Sequence, residues 1–261
     1  MPRAKGTVPR PAADPAPASS ARRVLDLLGC FTKDRHTMSS RELSELTGIA
    51  LPSVYRYITL LRESGFLAGD DRGNYHLSVR VIGLAQAAEA ADDLIATADP
   101  VMRDLAAATG ETVLLVRLVS QAAVCVHRIE SSHRLRLAYE PGQPVSLEHG
   151  ASARLLLSSV PAPVREDVLA RVAGADPEAA ERLAEEVRLA QERGWATSQE
   201  EIDPGIWAAS AAVRAPDGRT LAVVSVPSPL VRATTDVRVR VLSQVRAAAE
   251  EISLEARSTA R

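Results

Sequence analysis

Between Ser39 and Leu77 the chain carries a capped helix start, a glycine stop, a proline-led helix and a tight polar turn between two short apolar runs. No other stretch limits the fold so sharply. Ser39 and Glu42 stand at capping-box spacing, so each side chain can satisfy a free backbone N–H at the start of a helix. Leu43 and Leu46 line its apolar side, and Gly48 suits a left-handed exit. Pro52 sits where a helix can begin, Val54, Ile58 and Leu61 follow on one face, and Gly65 stops it. Phe66-Leu67-Ala68, the polar run Gly69–Asn74 and Tyr75-His76-Leu77 read as a hairpin. Upstream, Val24, Leu27, Leu28 and Phe31 recur at helical spacing behind Ser19 or Ser20. Three short helices and a hairpin predict a winged helix-turn-helix over residues 20–80, its third helix suited to a major groove and its hairpin to the wing.

Hydroxyls, phenols and guanidinium groups make phosphate and base-edge contacts. The solvent face of the third helix carries Ser53, Tyr55, Arg56, Tyr57, Thr59 and Arg62. With Arg41 on the second helix and Arg72 in the hairpin turn, the expected DNA-binding set is Arg41, Ser53, Tyr55, Arg56, Tyr57 and Arg72. The competing reading is that the tyrosines pack and Arg56 is a solvated charge. Charge supports the first reading modestly. Residues 1–80 hold twelve Lys/Arg against eight Asp/Glu, whereas the remainder holds nineteen against twenty-five. A basic head on an acidic body suits a polyanion such as double-stranded DNA.

The flanking segments complete the layout. Residues 1–19 are Pro-rich and nearly without large apolar side chains, so a disordered arm is expected. An Ala-rich helix over 81–98 reads as a linker, able to pair with a second chain. Asp99 and Pro100 then suit the cap and first position of a new helix, which ends at Gly110. Beyond it the period becomes that of strands. Thr112–Val119 and Ala122–Ile129 form a hairpin, Arg134–Tyr139 alternates, and Trp207–Arg214 and Thr220–Val226 flank a turn. Helices are expected after Ala151, after the Asp176-Pro177 cap and over roughly 235–255. Strand pairs interleaved with helices predict an α+β domain over 99–256, with a helix-flanked antiparallel sheet.

Other chemistries lack their residues. In 261 residues there are two cysteines, too few for a disulfide framework or a four-cysteine zinc site. His127 and His133 are separated by five residues without further ligands, so no metal site and no cofactor are expected. The 46% hydrophobic content supports a core, yet no apolar run approaches the length of a membrane span, and the N-terminus lacks a signal-peptide stretch. A cytoplasmic protein of a reducing compartment is expected, with no membrane partner. Ser152 near His149 is the sole candidate nucleophile, in a G-A-S-A-R context rather than a nucleophile elbow. The pair reads better as a helix start whose N–H groups attract an anion.

Three blocks then carry a family resemblance. SSRELSELTGIALPSVYRYITLLRESGFLAGDDRGNYHLSVRVIGLA (39–85), SLEHGASARLLLSS (146–159) and GWATSQEEIDPGIWAASAAVRAPDGRTLAVVSVPSP (194–229) resemble, in order, the blocks of an IclR-type transcriptional regulator. The resemblance covers about Ser20 to Ser253. It implies a GAF-like effector domain, a homodimer or dimer of dimers, and operator binding modulated by a small organic-acid-like effector. By position it points to Ser152, Ala153, Ser198, Ala208, Ser225 and Pro227 as effector contacts, with Leu135, Ala138 and Ser146 as the opposing wall. Departures stand at Arg154 and Leu155, where the family has Gly-Lys, and at 208–213, which lacks its proline. The alternatives are a DNA-binding dimerisation module without a ligand, or a hydrolase-like α+β enzyme.

Overall fold

A computed structural model of the chain describes residues 20–32, 35–119, 122–137 and 139–259. The expected arm, Ser19, Ala138 and the Ser120-Gln121 turn lie outside them. Contacts divide the described residues into two units, 20–91 and 92–259. The first holds α1 (Ser20–Leu28), β1 (Met38–Ser39), α2 (Ser40–Thr47), α3 (Leu51–Glu63), β2 (Leu67–Gly69), β3 (Asn74–Leu77) and α4 (Arg80–Ala90). The capping box forms as read: Ser39 N–H donates to Glu42 Oε2 at 2.7 Å and Glu42 N–H to Ser39 Oγ at 3.3 Å. Gly48 closes α2 at φ +69°, a conformation that a Cβ would strain. Leu27, Leu43, Val54, Tyr57, Ile58 and Leu61 form the core. The hairpin β2–β3 is as expected, and β1, too short to show a period, adds to the far side of β3 in the order β1-β3-β2. This is a winged helix-turn-helix.

The second unit runs α5 (Asp93–Thr109), β4 (Val113–Val119), β5 (Ala122–Ile129), β6 (Pro144–Val145), α6 (Ala151–Leu157), α7 (Ala162–Ala175), α8 (Pro177–Arg193), β7 (Trp195–Gln199), β8 (Ile206–Arg214), β9 (Thr220–Pro229) and α9 (Thr235–Thr259). Its six strands are antiparallel in the order β6-β5-β4-β9-β8-β7. Leu115, Ala209, Val224 and Val226 pack on one face with Met102 and Leu105 of α5 and Val245 and Ile252 of α9. Leu114, Val116 and Val223 pack on the other with Ala151, Leu155 and Leu156 of α6. A sheet covered on both faces explains why β4 opens on four consecutive buried apolar residues, Val113–Val116, instead of alternating. The fold is α+β, with a helix-flanked antiparallel sheet.

Several local expectations are corrected. The single helix over 81–98 is two, because α4 ends at Ala90 and Asp92 caps α5 by accepting from the N–H groups of Leu94 and Ile95. Asp99 is no cap, and Pro100 lies inside α5. The Asp99 carboxylate instead holds Arg103 Nε at 2.6 Å and His127 Nε2 at 2.8 Å, tying α5 to β5. Arg134–Tyr139 forms no strand among its described residues. Its polar groups go elsewhere, Arg136 to Glu130 and the Leu135 carbonyl to Arg232. The helix α7 and the edge strand β7 are additions that the sequence pattern does not announce.

Candidate functional site

In the first unit, α3 turns Val54, Tyr57, Ile58 and Leu61 inward and leaves Tyr55, Arg56, Thr59 and Arg62 exposed, with Ser53 half-buried. Arg41 and Arg72 are exposed on α2 and in the wing turn. Asp70 organises that turn by accepting from the N–H groups of Arg72 and Asn74. Tyr57 is the exception to the expected set. Its ring is 3% exposed and belongs to the core, because it shares the i, i+3, i+4, i+7 stripe of Val54, Ile58 and Leu61. Its hydroxyl remains useful: Arg56 Nη2 donates to it at 3.4 Å, and the guanidinium lies 5.2 Å from the ring centre. The hydrogen bond from Arg56 holds the phenol below the usual tyrosine range, burial opposes it, and Arg23 adds to the lowering. An exposed cation is thus seated on a buried ring.

In the second unit a cavity of about 40 Å³ opens where the start of α6 meets β8 and β9. Ser152, Ser198, Ala208, Ser225 and Pro227 line it, so five of the expected contacts converge. Three do not reach it. Ala153 packs in the interior, 1% exposed. Leu135 is 63% exposed and elsewhere, because its segment is not the strand that would have turned it inward. Ser146 spends its hydroxyl on the N–H groups of Glu148 and His149 in a local turn. Ala138 lies outside the described residues. The side chains that supply the apolar wall are Leu114, Val116, Tyr139, Val145 and Ile206. Burial pushes the Tyr139 phenol up to about 12, and the Asp203 carboxylate adds to the rise.

Hydroxyls run through the wall in series. Ser210, fully buried on β8, donates to Ser225 Oγ at 2.8 Å and lies 3.1 Å from Ser152 Oγ. A hydroxyl has one hydrogen. With Ser210's given to Ser225, Ser152 donates to Ser210, and the Ser225 hydrogen is left for an acceptor on the cavity side.

The segment joining β7 to β8 closes the cavity with Glu201, Ile202 and Asp203, which the sequence reading missed. Glu201 Oε2 accepts the Gly150 N–H at 2.9 Å, and Glu201 Oε1 accepts from Arg154 Nη2 at 2.8 Å. The helix start expected to hold a ligand's anion is therefore already engaged by a carboxylate of the chain. Gly150 has φ +97°, and a Cβ there would meet Ile202 Cδ1 at 2.8 Å, so its bareness lets the segment lie down. Pro204-Gly205 is the one local turn signal in this segment. The contacts themselves span about fifty residues and leave no local trace.

Comparison with known proteins follows this division. Residues 20–71 match the IclR helix-turn-helix domain and residues 86–254 the bacterial transcriptional regulator IclR C-terminal domain. The HTH-type transcriptional regulator KipR of Bacillus subtilis is 28% identical, over 83% of this chain and 89% of its own. The crystal structure of an IclR transcriptional regulator from Alicyclobacillus acidocaldarius superposes with a TM-score of 0.79 at 21% identity, covering 92% of this chain and 99% of that one. An IclR homologue from Microbacterium hydrocarbonoxydans, solved in complex with 4-hydroxybenzoate, gives a TM-score of 0.76 at 21% identity, covering 92% and 100%. Among the described residues no helix is long and apolar enough to cross a membrane, and no group of three or more His, Cys, Asp or Glu could hold a metal ion.

Proposed function

Because the chain belongs to the IclR family of bacterial transcriptional regulators, we propose that it binds operator DNA through α3 and the wing, and that a small organic acid in the α6–β8–β9 cavity modulates this binding. The observation that carries the DNA half is the outward face of α3, where Ser53, Tyr55 and Arg56 stand on a buried apolar core. Arg41 and Arg72 flank it for phosphate contacts. The convergence of five cavity residues supports the ligand half, as does the acid bound to the Microbacterium homologue. A hydrolase-like role is disfavoured because the Ser152 hydroxyl is tied to Ser210, not to a histidine base. DNA as the partner implies a cytoplasmic location.

The test is a gel shift on duplexes selected from a random pool. Arg56→Ala should weaken binding by about 1–3 kcal/mol if Arg56 reads a guanine. If it meets phosphate instead, the salt slope should fall by about one and sequence preference should persist. Unchanged affinity and unchanged slope would remove α3 as the reading helix.

A second copy of the chain is the expected partner of α4. No described side chain of α4 is fully buried, and Ile82 and Leu84 are 58% and 51% exposed, with Val79 just before it at 83%. An apolar helix left in water in this way is covered by association. Two heads on one palindrome also double the phosphate contacts, which the modest positive charge of one head needs. Light scattering should return a dimer or a dimer of dimers; a mass near the 27.8 kDa monomer at micromolar concentration would contradict it.

A further inference from the structure

Arg154 is the one charged residue of α6, a helix whose seven residues are all buried. Its side chain is 8% exposed. Nε reaches Glu186 Oε2 at 2.8 Å, and Nη2 reaches both Glu186 Oε2 at 2.7 Å and Glu201 Oε1 at 2.8 Å. Nη1 is buried with no partner. Burial works against the guanidinium's charge, and the two carboxylates more than offset it. Those carboxylates are differently placed. Glu186 belongs to α8, whereas Glu201 sits on the closing segment and is itself part of the cavity wall.

Taking the effector reading of this cavity as its basis, we propose that Arg154 receives the effector's carboxylate and that Glu201 is the resident carboxylate it displaces. Three observations converge on the exchange. First, the cavity as it stands has room for about two or three water molecules, so an organic guest must move part of the wall. Second, the carboxylates lining it are Glu201 and Asp203, whereas among the described residues no Lys or Arg lines it and His149 is the one side chain there able to take up a positive charge, so an acid entering beside Glu201 meets repulsion with no permanent cation to offset it. Third, substituting one carboxylate for another leaves Arg154 with two anionic partners, avoiding the heavy cost of an unpaired buried charge.

The exchange favours the newcomer on two further counts. Glu201, 29% exposed in its side chain, moves into water from a segment already at the surface. The unpartnered Nη1 then gains an acceptor, because a carboxylate arriving from the cavity can meet the guanidinium with both oxygens. The Ser225 hydrogen is available to the same ligand. Ile202 and Asp203 move with Glu201, so arrival of an acid is converted into displacement of the closing segment.

The test uses benzoate and its uncharged isostere benzamide, titrated into full-length wild type, Glu201→Gln and Arg154→Lys while the amide signals of Ala208 and Ser225 are followed by NMR. Wild type should prefer benzoate. Glu201→Gln removes the competing charge and should bind benzoate about tenfold more tightly, with benzamide unchanged. Arg154→Lys keeps the charge but loses the fork, and should cost benzoate about tenfold while sparing benzamide. Arg154→Gln is avoided because it leaves two acids unpaired. If both probes bind but neither variant changes their ratio, the exchange is wrong and the cavity remains the ligand site. If neither probe moves those signals in any variant, the cavity reading itself fails and takes the exchange with it.

Discussion

Arg232→Met should lower the stability of the second unit by about 3–5 kcal/mol, the usual consequence of stripping one partner from a buried ion pair. Arg232 grips Glu111 with two bonds, Nε to Oε1 and Nη2 to Oε2, both at 2.7 Å. The Glu111 side chain is 6% exposed, and its other side-chain partner is the Ser228 hydroxyl at 2.8 Å. Methionine keeps most of the arginine's apolar length but leaves Glu111 charged and nearly enclosed. The pair also joins the turn before β4 to the start of the loop into α9, and Arg232 Nη2 fixes the Leu135 carbonyl at 3.1 Å. A fall in melting temperature of about 6–20 °C is expected for a unit of this size. Adding Glu111→Leu should recover much of it, because removing both charges abolishes the unpaired group. A single mutant that melts within a degree or two of wild type would show that water already reaches the pair.

Ala208→Phe should abolish the effector's influence on DNA binding while leaving affinity without effector near normal. Ala208 sits on β8 opposite Ser198 of β7 and Pro227 of β9, and all three line the cavity. A phenyl group there fills the space a ligand would take. Overpacking costs about 1–3 kcal/mol, so circular dichroism and a melting curve must first show a folded protein. The decisive reading is a gel shift with and without the effector. A folded Ala208→Phe protein answering at wild-type concentrations would place the ligand elsewhere.

The first unit is legible in the sequence because its signals are local. A capping box, a glycine at an exit and a polar turn each specify backbone within four or five residues, and Ser39, Gly48 and Asp70 act as their types suggest. Tyr57 is misread from its polar hydroxyl, although the spacing of Val54, Ile58 and Leu61 already assigns it to the inner face. In the second unit the strands of the central hairpins are readable from β-branched runs, but Asp92 and Asp99 offer rival caps. Only the tertiary demand of His127 on β5 for Asp99 decides between them. The cavity contacts on β8, β9 and α6 come from resemblance, and those that reach it do so because those elements are regular. The closing segment cannot be read, since Glu201 acquires its meaning from Gly150 and Arg154 far along the chain.

The serine series has a consequence for how the pocket discriminates among guests. Ser152 and Ser225 form its two ends, both on the cavity, with Ser210 between them out of reach of water. Three hydroxyls in a row can all turn together. In one sense Ser225 shows a hydrogen and Ser152 a lone pair; in the other the two are interchanged. Whichever sense prevails, both ends keep a free lone pair but only one of them shows a hydrogen, so a guest that takes that hydrogen at one end finds an acceptor alone at the other. Such a wall does not select a carbonyl over a hydroxyl at either end, since it can reorient for each. It selects against molecules that present acceptors to both ends, and leaves charge and bulk to do the remaining sorting.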